Sequence, residues 1–600
     1  MDTDIQRIQS TDAPHAVTLP GRLAHWADVA PRDIAVREKS LGRWVETTWA
    51  ELARSVAVAA GQLAGAGVRS GDHVLLLGQN RLHWVRWMLA AQSVGAVPTA
   101  VDPRASGATL THAVDAVAPV AAIGDGLAEA EDCLALWRGG HHGLRLVVIN
   151  EDTTGLADPI DTVSVRTADE LLAESPDGVP AHAAAADDRA LVLWTSGTTG
   201  TPRGVPFTWR QIAAMAHVID DAHQVRSGDD VVLGVSMAHV IGFGFGVLGA
   251  IWGGATLNFP ESPDTLRHDL RVLRPTVFVA TGRFFEGLQS DITARAASAT
   301  PLKRLWFRTW FRAARPAAGA HRSGRARRAV VGLAFTRSLH RFTGFGWARL
   351  VVSTGSPVTD RVVTDLARCG VELTRVYSVT EAGGPLLHST RLDASEAGEP
   401  YPGVVVRLRD GALRVTAPAM AAAYVDGSPA LDDGWLATGD HGELRPGSGL
   451  ALTDLNLGPA EPRGALERES ALRALDLVGR AVVSFQHHRW LALIEPDEYA
   501  AMAWARRHGR PVATMAELYR DQAIEAAIRT SVEALTMSKA SGAPVGGGAV
   551  IDDFRCLPRP LSEDRGELTP DGKVRRAVVI ETNEELIGAM SPTKAEESVR

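Results

Sequence analysis

The sequence predicts an α/β fold, with a large N-terminal domain of parallel-rich sheets and helices followed by a small α+β domain. Three observations predict it. The chain has 600 residues, several times the length of a typical domain. Helical patterns alternate with short apolar strands over most of that length, which is typical of parallel sheet. Beyond about residue 440 this alternation gives way to a different pattern.

The alternation is clearest near the N-terminal end. Thr48-Trp49-Ala50-Glu51 has the spacing of a capping box and predicts that a helix begins there. The apolar periodicity then predicts helices over 48–63 and 84–94 and strands over 73–78 and 96–101. Further strands are predicted over 145–149, 190–194, 230–235, 276–280 and 348–353.

The C-terminal part begins after a break rich in glycine and proline, Arg445-Pro446-Gly447-Ser448-Gly449. We therefore predict a large domain over 1–449 and a small domain over 450–600. Within the small domain, helices are predicted over 460–475 and 517–535, and strands over 477–484 and 489–494.

Composition and charge exclude several classes of protein. Hydrophobic residues make up 45% and charged residues 22%, which is ordinary for a globular chain and excludes fibrous and disordered proteins. With 62 basic and 70 acidic residues the net charge is −8, so no nucleic-acid partner is expected. Three scattered cysteines predict reduced thiols, and the polar start of the chain lacks the pattern of a signal peptide. The expected location is the cytoplasm.

The most informative segment joins an apolar strand to a loop of hydroxyls and glycines. The loop consists of Thr195, Ser196, Gly197, Thr198, Thr199 and Gly200, and Arg203 follows it. Hydroxyl donors, close backbone approach at glycine and a cation are what polyphosphate oxygens require. The residues do not fit a Walker A loop. The order predicts a phosphate-binding loop rather than a flexible turn.

This loop resembles the signature loop of the adenylate-forming (ANL) superfamily, which includes acyl-CoA synthetases, peptide-synthetase adenylation domains and firefly-type luciferases. Other segments resemble that superfamily's motifs in the same order: Ser353-Thr354-Gly355-Ser356-Pro357, Tyr377-Ser378-Val379-Thr380-Glu381, Asp433-Gly434-Trp435-Leu436-Ala437-Thr438-Gly439-Asp440 and Leu568-Thr569-Pro570-Asp571-Gly572-Lys573. The resemblance runs from about residue 25 to 580. Segments 238–240, 259–266, 274–278 and 566–570 are most similar to the long-chain acyl-CoA synthetases.

The resemblance implies a large adenylation domain, a mobile C-terminal lid and a role for each motif residue. Residues 195–200 and Arg203 would hold the β- and γ-phosphates, and Thr380 the α-phosphate. The adenosine would lie against Gly355, Ser356, Tyr377 and Ser378, with Asp440 on the ribose hydroxyls. Mg²⁺ would be held by Glu381 and Thr198.

Lys573 would reach in from the small domain to bridge the substrate carboxylate and the α-phosphate. A carboxylate that attacks ATP is an anion approaching a polyanion, so fixed cations are needed where charge accumulates. Lys573, Thr380 and Glu381 are accordingly the candidate catalytic residues.

The resemblance also implies an acid-binding pocket formed by His239, Phe243, Gly355 and Val379. From the residues alone, a histidine in the apolar, glycine-rich stretch 239–246 is better explained as a satisfied core histidine than as a functional one. The glycines suggest either room for a ligand or close helix packing.

Together these features predict an ATP- and Mg²⁺-dependent ligase that adenylates a fatty or aryl acid, releases pyrophosphate and transfers the acyl group to coenzyme A. The segment after Asp454 lacks about ten residues of the superfamily's usual hinge. Two alternatives therefore remain. One is a different acceptor (an amine, a carrier-protein thiol, or nitrite activation for diazotisation of an aryl amine), and the other is a non-catalytic nucleotide-binding homologue.

Segment 303–349 carries a dense set of basic residues and no acidic ones. In its first part the arginines lie on one predicted helical face, and Trp306, Trp310 and Phe311 lie largely on another. This pattern predicts either peripheral contact with a membrane or a surface helix packed on the large domain.

Overall fold

A computed structural model shows the fold of the chain. It describes residues 17–105, 107–140, 143–150, 163–173, 183–195, 201–301, 304–305, 307, 311, 339–391, 396–445, 449–454, 464–510, 514–540, 551–569 and 572–590.

Strands and helices alternate as the sequence predicts. The strands are β1 Ile34–Ser40, β2 Arg43–Thr48, β3 His73–Leu77, β4 Val97–Val101, β5 Ala121–Ile123, β6 Leu146–Ile149, β7 Ser164–Thr167, β8 Arg189–Trp194, β9 Gly204–Thr208, β10 Asp230–Gly234, β11 Thr256–Phe259, β12 Val277–Thr281, β13 Leu350–Thr354, β14 Thr374–Val379, β15 Gly384–Ser389, β16 Glu396–Pro400, β17 Val405–Arg409, β18 Ala412–Thr416, β19 Leu436–Arg445, β20 Gly449–Asp454, β21 Val478–Gln486, β22 Arg489–Pro496 and β23 Asp553–Cys556.

The α-helices are α1 Leu19–Val29, α2 Trp49–Gly65, α3 Leu82–Ser93, α4 Gly107–Val117, α5 Leu127–Arg138, α6 Ala168–Ala173, α7 Trp209–His223, α8 Val240–Gly242, α9 Gly249–Gly253, α10 Leu266–Leu273, α11 Gly282–Ser298, α12 Asp360–Arg368, α13 Ala465–Arg473, α14 Glu498–Arg507, α15 Met515–Leu518, α16 Gln522–Ala540, α17 Arg576–Thr582 and α18 Glu584–Gly588. A π-helical turn, Phe243–Leu248, joins α8 to α9, and a 3₁₀ turn, Thr380–Ala382, follows β14.

The described strands form three sheets. The largest has the order β17-β18-β19-β20-β16-β15-β14-β13-β12-β10-β11-β1-β2, the second β7-β6-β5-β3-β4-β8-β9, and the small C-terminal sheet β21-β22-β23. Strands β10 to β13 run parallel to both of their neighbours, and their largely apolar sequences are buried in the sheet. Strand β14 is parallel to β13 and antiparallel to β15. This confirms the predicted α/β class.

The capping box at the start of α2 is confirmed. Thr48 Oγ1 accepts the backbone N–H of Glu51, and the Glu51 carboxylate accepts the N–H of Thr48 at 2.8 Å. The predicted helices at 48–63 and 84–94, and every strand predicted before residue 354, are present with ends shifted by at most a few residues.

The predicted division between the two domains at 449/450 stays a prediction, and the strand pairing favours a point slightly later in the chain. Strand β20 pairs with both β19 and β16, with Arg445 opposite Gly449. The strands on either side of the glycine-rich break, β19 and β20, therefore both belong to the large sheet. We propose that the division comes after Asp454, since the next described element is α13 of the small domain.

The predicted helix over 517–535 is in fact two helices. The chain leaves the first, α15, at Leu518, and Asp521 accepts the backbone N–H of Ala523 to begin α16. An aspartate that caps a new helix in this way competes with continuation of the old one.

Phe307 and Phe311 are the described aromatic residues in the first part of the basic segment, residues 303–315, and both lie against the large domain. Their rings stack at 5.1 Å, and the Arg368 guanidinium covers Phe311 at 5.1 Å. These contacts favour the packed surface helix for that part, while membrane contact stays a prediction. Trp306 and Trp310 lie outside the described residues. Among the described helices, none combines the length and the apolar character that a bilayer crossing needs.

Candidate active site

The candidate site is built where the start of β9 meets the turn after β14. A segment of the chain over 419–428 lies between them. Val425 donates its backbone N–H to the carbonyl of Gly204 at 2.9 Å, and Ala421 donates its N–H to the carbonyl of Glu381 at 2.8 Å. The phosphate-loop strand and the predicted metal carboxylate are thereby brought to one place.

Arg203 is held from three directions. Its backbone N–H donates to Thr195 Oγ1 at 2.9 Å, which closes the base of the predicted phosphate loop. Its guanidinium lies 3.3 Å from the centre of the Tyr424 ring and donates to Ser428 Oγ. Ser428 in turn donates to the exposed carboxylate of Asp426. Ser196, Gly197, Thr198, Thr199 and Gly200, the remainder of the predicted loop, lie outside the described residues.

Glu381 is joined to the same group through Tyr424. The Tyr424 hydroxyl donates to Glu381 Oε1 at 2.7 Å. Burial and the neighbouring Glu381 carboxylate raise the pKa of Tyr424, so the hydroxyl stays a proton donor at neutral pH. Thr380 and Glu381 occupy the 3₁₀ turn, which ends at Gly383 with φ +70°.

The second part of the site joins β14 to β19. The Tyr377 hydroxyl donates to Asp440 Oδ2 at 2.5 Å, and the Asp440 backbone N–H donates to Thr438 Oγ1 at 3.1 Å. Asp440 is buried. Burial, followed by the Asp440 charge, raises the pKa of Tyr377 well above its ordinary value. Ser378 follows Tyr377 at a bulge in the pairing of β14 with β15.

Gly355 and Ser356 follow the carboxyl end of β13, where ligands of parallel sheets characteristically bind. Gly355 has φ +82°. A Cβ on Gly282 would lie only 2.4 Å from the Ser356 carbonyl, so glycine is needed for the start of α11 to approach this loop.

The turn that carries Lys573 faces this region from the small domain. Thr569 donates its N–H to the Lys573 carbonyl at 2.8 Å, and the Lys573 N–H donates to Thr569 Oγ1 at 2.9 Å. A Cβ on the adjacent Gly572 would lie 3.9 Å from Nη1 of Arg283, the residue after Gly282. The predicted lysine thus lies at the boundary between the two domains.

The predicted acid-pocket residues have different surroundings. His239 is partly exposed and caps α8, where its Nδ1 accepts the Ile241 N–H at 3.2 Å, so it is not a fully buried core histidine. Phe243 has no exposed surface. Val379 is partly exposed at the end of β14.

The glycines after His239 serve close packing at several positions. A Cβ on Gly242 would lie 2.0 Å from the Ser236 carbonyl, and one on Gly246 would lie 2.4 Å from Leu233 Cδ1. Of the two explanations that the sequence left open, these contacts favour close helix packing at these positions.

The donor set suits a magnesium ion that is shared with phosphates. No group of three or more His, Cys, Asp or Glu side chains suitable for a metal occurs among the described residues. A single carboxylate with one oxygen already bonded to Tyr424 matches Mg²⁺, which commonly takes one protein carboxylate and completes its coordination with substrate phosphates and water.

Tyr424 and Ser428 were missed in the sequence. They lie in a segment without phosphate-loop character and are more than 200 residues from Arg203 along the chain. The sequence Asp426-Gly427-Ser428, two residues after Tyr424, indicates a tight turn. Nothing in that pattern indicates which strand the turn packs on.

Comparison with known proteins gives the family of the chain. The family model of AMP-binding enzymes matches residues 23–421. A long-chain-fatty-acid–CoA ligase of Mycobacterium bovis is 28% identical over 90% of this chain and 91% of its own length.

Solved structures share the fold. The adenylation domain of a carboxylate reductase from Mycobacterium chelonae has a TM-score of 0.75 at 18% identity, covering 96% of this chain and 92% of that one. An o-succinylbenzoate–CoA synthetase from Bacillus subtilis, solved with ATP and magnesium ion, has a TM-score of 0.65 at 17% identity, covering 93% of this chain and 98% of that one.

Proposed function

Since this chain belongs to the AMP-binding enzyme family, we propose that it is an ATP-dependent acid ligase that passes its acyl group to coenzyme A. In the first step the acid's carboxylate oxygen attacks the α-phosphorus of ATP, and pyrophosphate leaves. In the second step the thiol attacks the acyl carbon of the acyl-adenylate, and AMP leaves. The observation that carries the proposal is the contact of Tyr424 with both Arg203 and Glu381.

Each residue of the site has a different proposed contact in the first step. Arg203 would bind the outer phosphates through a planar guanidinium that presents several donors. Asp440 would accept the ribose hydroxyls, with Tyr377 against the base. Mg²⁺, held by Glu381 together with phosphate oxygens, would supply charge neutralisation at the phosphates. Lys573 would hold the acid's carboxylate against the α-phosphate.

The names of the relatives support a fatty acid as substrate. The Mycobacterium bovis ligase acts on long-chain fatty acids and spans nearly the whole of this chain. Aryl acids are the second class, since adenylate-forming enzymes of this fold include the o-succinylbenzoate–CoA synthetase. His239, Val379 and Gly355 are the residues that we propose to line the acid site, with Phe243 packed behind them.

Coenzyme A is the proposed acceptor because the same relative is a CoA ligase. A different acceptor is favoured by one feature of this chain, the short connection of ten residues (455–464) between β20 and α13. An amine or a carrier-protein thiol would replace coenzyme A in the second step and leave the first unchanged. In diazotisation of an aryl amine, nitrite would instead replace the carboxylate in the first step, and the amine would attack the activated nitrite with loss of AMP.

A pyrophosphate-release assay tests both steps. Purified enzyme with ATP and Mg²⁺ is incubated with fatty, aryl and amino acids, each with and without coenzyme A. We expect acid-dependent pyrophosphate release, and acyl-CoA only when coenzyme A is added. Release without any acyl-CoA would assign another acceptor. ATP binding without release for every acid, and also with nitrite in place of the acid, would favour a non-catalytic nucleotide-binding protein.

A further inference from the structure

One side chain, that of Tyr424, contacts both of the groups that the proposed function places on phosphate and on magnesium. Its ring face carries the Arg203 guanidinium at 3.3 Å, and its hydroxyl donates to Glu381 Oε1 at 2.7 Å. Tyr424 is 8% exposed, so both contacts are largely removed from water and are strengthened accordingly.

The backbone around Tyr424 is fastened on both sides of these contacts. On one side, the Ala421 N–H donates to the Glu381 carbonyl, and a Cβ on Gly383 would lie 2.3 Å from the Ala419 carbonyl. On the other side, the Val425 N–H donates to the Gly204 carbonyl at 2.9 Å. The ring therefore has little freedom to leave either partner.

We propose that Tyr424 is a positioning residue that sets the phosphate-binding arginine and the metal-binding carboxylate in a fixed relation, and that Ser428 completes the placement of the arginine. The proposal rests on the proposed function. It assigns separate tasks to the two parts of one side chain, the hydroxyl acting on magnesium through Glu381 and the ring acting on ATP through Arg203.

The ring of Tyr424 can position residue 203 because that residue is an arginine. A planar guanidinium stacks on an aromatic face, whereas a lysine ammonium is a strongly hydrated point charge. The hydroxyl occupies one oxygen of Glu381 and so orients the other for a cation. Removing the hydroxyl should loosen the carboxylate, and removing the hydrogen-bonding oxygen of Ser428 should loosen the arginine.

Calorimetric titration with ATP, with and without Mg²⁺ and in the absence of any acid, separates the two tasks. For Tyr424→Phe we expect unchanged affinity for metal-free ATP and an enhancement of ATP binding by Mg²⁺ that is about 3- to 10-fold smaller, as loss of one charge-assisted hydrogen bond implies. For Ser428→Ala we expect metal-free ATP to bind about 3- to 10-fold more weakly, with the enhancement by Mg²⁺ retained.

Tyr401→Phe is the matched control. Tyr401 is also a buried tyrosine, but its hydroxyl bonds to His223 at 2.7 Å instead of to the site. The Tyr401→Phe substitution should lower thermal stability without altering the affinity for metal-free ATP or the enhancement of ATP binding by Mg²⁺. If Tyr424→Phe keeps the full enhancement by Mg²⁺, the proposal is wrong.

Should Tyr424→Phe not fold, Arg203→Lys tests the other contact of the same side chain, that of the ring with the guanidinium. This variant keeps the charge but loses the stacked plane and the contact with Ser428, so about 3- to 10-fold weaker binding of metal-free ATP is expected. Unchanged binding would overturn the proposal. A wild-type protein that binds no ATP under any condition would instead overturn the proposed function.

Discussion

At the scale of single residues, Lys573 is the side chain on which the proposed adenylation depends most directly. We expect Lys573→Ala to reduce acid-dependent ATP–pyrophosphate exchange by at least about 10²-fold, as loss of a preorganised charge at a reacting centre does. ATP affinity should change little, because the other proposed nucleotide contacts lie in the large domain. Exchange rates and calorimetric ATP binding measure the two effects separately.

Arg507→Ala is the control for the lysine variant. Arg507 is an exposed cation of the same small domain, at the end of α14. Its removal should leave the exchange rate as it is. Exchange that survives in Lys573→Ala would remove this lysine from the reaction.

His223 gives a residue-scale prediction for pH. Burial, then the neighbouring His388 and Arg349, lower the pKa of His223 from 6.5 to about 4. Its Nε2 lies 2.7 Å from the Tyr401 hydroxyl. The unfolded chain takes up a proton below pH 6.5, whereas the folded chain resists it until about pH 4. Stability should therefore fall as the pH is lowered through this window.

His223→Asn removes that group and should make the melting temperature depend less steeply on pH between about 6.5 and 4, although the variant is less stable at neutral pH. The measurement is thermal unfolding at a series of pH values. An equally steep dependence in the variant would show that His223 does not titrate in this way. The half-buried His73, whose pKa is also lowered to about 4 by desolvation, should account for part of the remaining slope.

At the scale of elements, local signals and long-range contacts differ in how far sequence predicts them. The capping box at Thr48 was predicted because both partners lie within one helical turn. The strands were predicted because buried parallel strands are continuous apolar runs. The contact of Ser428 with Arg203 joins residues 225 positions apart, and no local pattern encodes it. The candidate site was predicted through its motifs, whereas the segment that joins them was not.

The turn after Thr380–Ala382 gives the element-scale prediction. Gly383 has φ +70°, and a Cβ there would lie 2.3 Å from the Ala419 carbonyl. Alanine would be strained in the turn and would also push the 419–428 segment away from Glu381. We expect Gly383→Ala to lower the melting temperature and to weaken MgATP binding by at least about 10-fold, because both contacts of Tyr424 depend on that segment.

Gly71→Ala is the matched control, because Gly71 has φ +85° but nothing within 4 Å of an added Cβ. Gly71→Ala should lower the free energy of unfolding by about 1–2 kcal/mol through backbone strain alone, with MgATP binding retained. If the two variants behave alike in binding, the approach of residue 419 to the turn has no part in forming the site.

At the scale of the whole molecule, charged contacts between described residues join the small domain to the large one. Arg473 of α13 pairs with Glu286 of α11 and donates to the Pro357 carbonyl at 3.0 Å, next to the Ser356 loop. Arg361 of α12 pairs with Asp476. These contacts hold the domain in the orientation that brings the Lys573 turn toward Arg283.

Arg473→Ala should therefore slow the reaction without weakening nucleotide binding. The Arg473 side chain is 15% exposed and that of Glu286 28%, so the pair is shielded enough to bias the orientation of the domain. We expect pyrophosphate exchange to fall by about 3- to 10-fold, since a smaller fraction of molecules holds Lys573 in place, with ATP affinity unchanged.

Arg166→Ala is the control, because it breaks an exposed pair between Arg166 of β7 and Glu170 of α6. It should alter neither the exchange rate nor the ATP affinity. A parallel loss of ATP affinity and exchange in Arg473→Ala would mean that the large domain itself is disturbed. Unchanged exchange would mean that the lysine reaches its place without this contact.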